Sequence, residues 1–174
     1  GAAILTITGG WSGTKFQNSI AGTGGSLIKS GTGKLELYGT QGFTGSLSIN
    51  GGTLATQVNL SVSVVNLNSG GIFELINNSS INELNFNGGT LTLNAKTLTM
   101  TKLTLQSGTS FDLPNSNIST QSVEIKSGAT FNVTDNMSIT TLTLNSGSTL
   151  NITGGKTLTV TNLVYNDGTN AYPL

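Results

Sequence analysis

The chain alternates apolar and polar residues in short runs, and most runs end at a turn-forming residue. Alternations such as Leu47-Ser48-Ile49, Leu103-Thr104-Leu105 and Phe131-Asn132-Val133 recur along the whole sequence. A period of two is typical of β-strands that bury one face. Because Gly and Asn tolerate the positive φ of tight corners, the NGG, NSG, QSG and KSG tripeptides between runs predict turns. No stretch shows the i, i+3, i+4 pattern of a helix.

The runs repeat with a period close to twenty residues. One glycine follows the first alternation of each unit, and we name these nine residues the anchor glycines. They are Gly10, Gly31, Gly52, Gly70, Gly89, Gly108, Gly128, Gly147 and Gly168. Successive anchor glycines lie 18 to 21 residues apart. A fixed period of this length is the sequence signature of a solenoid.

Three very short strands per unit are too short for a meander of hairpins, but they fit one coil of a parallel β-helix. A single coil cannot bury its apolar face, so stacked neighbours have to complete the core. The sequence therefore predicts an all-β, single-stranded parallel β-helix of about nine coils, each with 18–21 residues and three strands. Residues 1–174 read as one solenoid domain, with longer coils in 1–55 and leaner coils of about 19 residues in 56–174.

The position two residues before the anchor glycine carries a side-chain amide in six of nine units. Since stacked amides hydrogen-bond along the axis of cross-β structures, we predict a structural ladder at this position. Its members are Asn50, Asn68, Asn87, Gln106, Asn145 and Asn166. The segments IKSGTGKLEL and IKSGATFNV place Lys29 and Lys126 at the same position, and we expect both in this outward column.

The amino-acid composition excludes several classes of catalytic site and partner. Only 8% of residues are charged, seven Lys balance seven acidic residues, and the chain has no Arg, His or Cys. Without His and Cys, Ser-His-Asp catalysis, thiol catalysis and ordinary zinc sites are excluded. Zero net charge argues against a nucleic-acid partner. No apolar run approaches the roughly 18 residues of a membrane span, so we expect no membrane insertion of this segment. We also expect no cofactor.

Residues 22–54 read GTGGSLIKSGTGKLELYGTQGFTGSLSINGGTL and resemble the passenger-associated repeat of autotransporter proteins. The matching residues are Lys29, Gly31, Gly33, Leu35, Leu37, Gly39, Phe43, Thr44, Gly45, Ile49, Asn50, Gly52, Thr53 and Leu54. The later coils are similar, more loosely, to filamentous-haemagglutinin-type adhesins. The resemblance implies a right-handed β-helix at a Gram-negative-type cell surface that serves as a stalk, adhesive rod or scaffold.

Three other functions are compatible with a solenoid. In a carbohydrate-active or glycan-binding β-helix, Glu74 and Asp112 would share an outward column two coils apart, near the carboxylate separation of inverting glycosidases. The simpler interpretation, which we favour, is that this column is the solvent-facing side of the strands. Calcium binding would need acidic repeats, whereas the acids here are scattered. Ice binding would need a flat Thr-x-Thr array, which Thr97-Leu98-Thr99 and Thr157-Leu158-Thr159 have and the coils between them interrupt.

Both ends of the predicted solenoid expose apolar residues without a polar cap. These residues are Ile4, Leu5, Ile7, Trp11, Leu163, Tyr165, Tyr172 and Leu174. Open strand edges invite pairing, so either the chain continues in a longer β-helix or copies stack end to end. We therefore predict a non-enzymatic, extracellular structural rod of the adhesin or passenger type. We expect its partners to be itself and a host or cell-surface glycan.

Overall fold

The computed structural model of the chain describes residues 3–10, 13–113, 117–168 and 171–173. No α-helix occurs among them. The strands are, in chain order, β1 (Ile4–Thr8), β2 (Thr14–Phe16), β3 (Ala21–Gly22), β4 (Ser26–Ser30), β5 (Lys34–Leu37), β6 (Gly42–Phe43), β7 (Ser46–Ile49), β8 (Gly52–Thr56), β9 (Val64–Asn68), β10 (Gly71–Leu75), β11 (Ser79–Ser80), β12 (Glu83–Asn87), β13 (Thr90–Thr92), β14 (Leu98–Leu105), β15 (Ser110–Asp112), β16 (Ile118–Ile125), β17 (Thr130–Val133), β18 (Met137–Asn145), β19 (Thr149–Ile152), β20 (Leu158–Asn166) and β21 (Ala171–Pro173).

The strands stack as a parallel β-solenoid of about eight turns. The long sheet takes one strand from each successive coil, in the order β1-β4-β7-β9-β12-β14-β16-β18-β20, with β21 added antiparallel at the end. Two further parallel sheets, β13-β10-β8-β5-β2 and β15-β17-β19, form other sides of the coils, and β3 pairs with β6. The all-β parallel solenoid predicted from the alternation is therefore confirmed.

Two rows of inward side chains along the long sheet form the centre of the core. The register of the strands aligns the first apolar file, which is Leu5, Leu27, Leu47, Val65, Leu84, Leu103, Val123, Leu142 and Leu163. The second apolar file lies two residues further along each strand and includes Ile7, Ile49, Leu67, Phe86, Leu105, Ile125, Leu144 and Tyr165. Members of the first file from Leu27 to Leu142 are at most 2% exposed. Full burial of each such side chain stabilises the fold by about 1.5–3 kcal/mol.

From β14 onwards, two strands that the sequence predicts as separate join into one. The strands β14, β16, β18 and β20 each span eight or nine residues. In β14 the inward-outward alternation changes phase at Thr101 and Lys102, which are consecutive and both only partly covered or exposed. The register of β14 with β16 leaves out Thr101, and that of β18 with β20 leaves out Thr140, so a corner interrupts the pairing within these strands. The two predicted alternations on either side of the corner are thus joined into one continuous strand in the later coils.

Lys29 faces the core, contrary to the prediction that it shares an outward column with Lys126. Lys29 pairs in register with Ile7 and Ile49, so it belongs to the second apolar file, and it is 2% exposed. Its ammonium donates hydrogen bonds to the carbonyl oxygens of Ser30 at 2.9 Å, Gly31 at 3.0 Å and Gly51 at 3.0 Å. Because a slip of one residue exchanges the two faces of a strand, IKSG has opposite orientations in its two copies.

One turn forces a non-glycine pair into the left-handed region. Asn94 has φ 50° and Ala95 has φ 58°, and they are the non-glycine residues with positive φ in the described part of the chain. A turn of the same kind three coils later uses Gly154 and Gly155, with φ 65° and 67°. Both turns are closed by a backbone hydrogen bond from the lysine that follows, Lys96 or Lys156. Left-handed backbone costs a residue with a Cβ about 1–2 kcal/mol.

Replacing Ala95 with Gly should stabilise the protein. Relief of the left-handed strain exceeds the extra chain entropy of glycine, which costs about 0.5–1 kcal/mol, so we expect a net gain of about 0.5–1 kcal/mol. The measurement is the free energy of unfolding from urea denaturation. Ala55→Gly is the matched control, because Ala55 is fully buried in β8 and should lose about 1 kcal/mol or more. Equal destabilisation by both variants would contradict the assignment of strain to Ala95.

Lys29 should make the stability of the protein depend on alkaline pH. Burial lowers the pKa of Lys29 below its usual value. Between the lowered folded pKa and 10.5, the unfolded chain binds more protons at this group, so the free energy of unfolding rises with pH. Lys29→Met should remove this part of the rise, and Lys96→Met serves as the control. An alkaline stability profile identical in wild type and Lys29→Met would contradict the prediction.

Candidate functional site

Three amides of the predicted ladder form a continuous hydrogen-bonded row. The Nδ2 of Asn68 donates to Oδ1 of Asn50 at 2.6 Å, and Nδ2 of Asn87 donates to Oδ1 of Asn68 at 2.8 Å. The backbone register brings the three residues to the same outward position in consecutive coils. Each bond therefore links one coil to the coil before it.

The row does not continue unbroken through the later coils. The longer side chain of Gln106 reaches sideways and donates to Oδ1 of Asn85 at 3.5 Å. Lys126 occupies the next position and offers no acceptor. The last two residues pair again, since Nδ2 of Asn166 donates to Oδ1 of Asn145 at 3.0 Å. The structure thus brings together Asn50, Asn68 and Asn87 as one group and Asn145 and Asn166 as another.

Two further polar rows form hydrogen bonds that were not predicted from the sequence. In the first, Asn85 donates to Asn66 at 3.1 Å, and Asn66 donates to Oγ of Ser48 at 3.3 Å. In the second, on the three-stranded sheet, Asn151 donates to Asn132 at 2.8 Å and Asn132 donates to Asp112 at 2.6 Å. The signal was present, because Asn66 and Asn85 are 19 residues apart, as are Asn132 and Asn151.

Asparagines at one corner hold the backbone of the following coil. The Oδ1 atoms of Asn59, Asn78 and Asn136 each accept a hydrogen bond of 2.9 Å from a backbone N–H. The donors belong to Ser80, Thr97 and Thr157 in the next coils. Thr97 and Thr157 directly precede β14 and β20, and Ser80 ends β11, so the amides satisfy backbone donors at the ends of strands. The polar side chains of this chain therefore act mainly between coils.

The charged side chains also pair across coils. On the five-stranded sheet, Lys34 lies 3.3 Å from Glu36 and 2.9 Å from Glu74. The hydrogen bond to Glu74 raises the pKa of Lys34, and the hydroxyl of Tyr38, 2.8 Å from Glu36, lowers the pKa of Glu36. All these groups are partly exposed, so each pair contributes at most about 1 kcal/mol.

A second charged group lies on the long sheet. Lys102 is 2.8 Å from Glu124 and 3.9 Å from Glu83, and Lys126 also pairs with Glu124. Burial alone would raise the pKa of Glu124, but the hydrogen bonds from Lys102 and Lys126 outweigh it and lower the pKa. The bond to Glu124 raises the pKa of Lys102. The arrangement links three consecutive coils.

The two acids considered for glycan chemistry are in different sheets. Glu74 lies in β10 of the five-stranded sheet, where Lys34 and Asn94 engage its carboxylate. Asp112 lies in β15 of the three-stranded sheet and accepts from Asn132. Among the described residues, no group of three or more acidic side chains could hold a metal ion.

The hydroxyl positions considered for ice binding align better than the sequence suggested. Thr99 pairs in register with Ser80 on one side and Ser119 on the other, and Ser138 pairs with Thr159. All five side chains are exposed. Serines thus occupy the row in the coils that were expected to interrupt it. The row therefore consists of small, exposed hydroxyls.

The predicted end residues that the structure describes lie in β1, β20 and β21, at the two ends of the long sheet. Ile4, Leu5 and Ile7 are in β1, and Leu163 and Tyr165 are in β20. Ile4 is 66% exposed, Leu5 41% and Tyr165 37%. Tyr172 lies in β21, whereas Trp11 and Leu174 lie outside the described residues.

Comparison of the chain with models of known protein families, with curated proteins and with solved structures finds no match. The parallel solenoid is shown, while the autotransporter and haemagglutinin-like identity of its repeats stays a prediction. In the described part of the chain, no helix has the length and apolar character needed to cross a membrane.

Removing the middle amide of the three-residue row should cost about twice as much stability as removing an end. Asn68 makes two side-chain bonds within the row and Asn50 makes one. With about 0.5–1 kcal/mol for each partly exposed bond, we expect a loss of about 1–2 kcal/mol for Asn68→Ala and half of that for Asn50→Ala. Urea denaturation measures both. Equal losses would show that the row adds nothing beyond the individual side chains.

Proposed function

We propose that the chain is a non-enzymatic structural solenoid whose coils stack end to end with those of another copy, as a segment of a rod. One observation carries the proposal. The exposed large hydrophobic side chains among the described residues are Ile4, Leu5, Ile152 and Tyr165. The first three lie in the first or last strands of their sheets, and Tyr165 lies in β20, the last parallel strand of the long sheet. Apolar surface that remains exposed in this way favours association at the ends of the solenoid.

The register of the long sheet specifies how two copies would meet. Leu5 and Ile7 begin the two apolar files, and Leu163 and Tyr165 end them. If β1 of a second copy pairs with β20 as another parallel strand, its Leu5 lies over Leu163 and its Ile7 over Tyr165. Both files then continue through the junction at the strand spacing of about 4.8 Å.

The outward column that contains the amide ladder also continues through the same junction. Thr8 pairs with Ser30 at the start of that column, and Asn166 pairs with Asn145 at its end. Thr8 of a second copy would therefore lie over Asn166. The apolar and polar positions of β1 match those of β20 in one register only, because a slip by one residue would place Leu5 outside.

The sides of the solenoid favour no comparable contact. Their outward positions carry hydrogen-bonded amides, small hydroxyls and paired charges, whereas the centres of protein interfaces are enriched in aromatic residues, Met and Arg. The amide and hydroxyl rows could hydrogen-bond a neutral glycan, which is the partner class that the resemblance to adhesins suggests. The extracellular, cell-surface location is likewise part of the proposal and rests on that resemblance.

Charge placed in the apolar files should abolish association, and two defective copies should complement each other. Leu5→Asp blocks the β1 end and Tyr165→Asp blocks the β20 end, so neither variant should form chains alone. In a mixture of the two variants, the intact β20 end of Leu5→Asp can pair with the intact β1 end of Tyr165→Asp. The mixture should therefore form dimers and nothing larger. Analytical ultracentrifugation at high protein concentration measures this.

Thr6→Asp is the matched control, because Thr6 lies between Leu5 and Ile7 and faces outward. It should associate as the wild type does. Circular dichroism confirms that each variant keeps its β-structure. If Thr6→Asp impaired association as strongly as Leu5→Asp, the proposal would be overturned.

A further inference from the structure

The last described strand occupies the edge that end-to-end stacking needs. β21 pairs antiparallel with β20, with Val164 opposite Pro173, Tyr165 opposite Tyr172, and Asn166 opposite Ala171. Every other strand pair named in the long sheet is parallel. The exception therefore lies at the one place where the next parallel strand of the solenoid would follow.

The positions that β21 covers are those that the proposed junction uses. In the stacked register, Thr6, Ile7 and Thr8 of a second copy would lie over Val164, Tyr165 and Asn166. β21 already occupies the edge of β20 along these three positions. The free edge of β20 can pair with only one strand at a time. β21 and the incoming β1 therefore cannot both pair with it along these positions.

The short segment is suited to release rather than to permanent closure. β21 covers three of the nine residues of β20 and leaves Leu158–Leu163 uncovered among the described strands. At the end of β20, the N–H of Gly168 donates a hydrogen bond of 3.0 Å to Oδ1 of Asn166. Pro173 lacks an N–H, so β21 offers a poor template for a further strand.

We propose that β21 is a removable strap that inhibits head-to-tail addition of a second copy of this chain. The inference rests on the proposed end-to-end stacking and adds its regulation. The closed strap and a second copy compete for the same edge of β20. The apparent affinity of that edge for a second copy is therefore the intrinsic affinity multiplied by the fraction of molecules in which the strap is open. A strap that is open in about a tenth of the molecules weakens association about tenfold.

A reversible disulfide tests the strap in the intact chain. The chain has no cysteine, so Val164→Cys with Pro173→Cys introduces a single possible bridge. Paired residues of an antiparallel ladder have Cα atoms about 4.5–5.5 Å apart, within the range that a disulfide spans. The oxidised form should stay monomeric at concentrations where the reduced form associates as the wild type does. Val164→Cys alone, under non-reducing and reducing conditions, controls for the substitution and for intermolecular bridges.

A second variant opens the strap permanently. The chain that ends at Gly168 lacks β21 and should associate at about a tenfold lower concentration than the wild type, measured by sedimentation velocity. Amide hydrogen exchange of the remaining strands verifies that its coils stay folded.

The possible outcomes separate the two proposals. Locked monomers together with stronger association of the shortened chain support the strap. If the oxidised, reduced and shortened forms associate equally, and Leu5→Asp still blocks association, stacking stands and the strap is overturned. If no form associates, both the stacking and the strap are overturned.

Discussion

Parallel pairing of each coil with the coil before it is the constraint on which the rest of the structure depends. The backbone hydrogen bonds of a short strand are satisfied only by the equivalent strand in the neighbouring coil, so no coil is stable alone. Pairing in register also aligns the inward side chains into two apolar files and the outward amides into rows. The core, the side-chain ladders and the open edges at the two ends all follow from one repeated backbone interaction.

Much of this fold could be predicted from local sequence. The alternation of period two gives the strands, and the anchor glycines, most of which have positive φ, give the corners. Which residues of a strand face the core is harder to predict when two apolar residues are adjacent. In Leu27-Ile28-Lys29-Ser30, either Leu27 or Ile28 could face the core, and the choice is made by Leu5 and Leu47 in the neighbouring coils. Lys29 is buried as a consequence, and its ammonium is satisfied by three carbonyl groups.

The amide row was predictable in position but not in its bonding. The column before the anchor glycines places Asn50, Asn68 and Asn87 together, and the strand register keeps them aligned. One additional methylene lets Gln106 reach Asn85 instead, and a lysine in the next coil removes the acceptor. Such outcomes depend on side-chain length and on neighbours in adjacent rows, which a single column does not contain. The antiparallel β21 was equally inaccessible, since three residues carry too little pattern to define a strand.

The proposed function extends the same interaction beyond one molecule. A strand edge that satisfies a neighbouring coil within the chain can satisfy the first coil of another copy, and β21 determines whether that edge is free. The most direct measurement is a cryo-electron microscopy reconstruction of assemblies formed by the chain. The account predicts a continuous solenoid in which Leu5 of one copy lies over Leu163 of the next, with an unbroken strand spacing of about 4.8 Å across the junction. Copies joined through their polar sides, or ends that meet in another register, would contradict it.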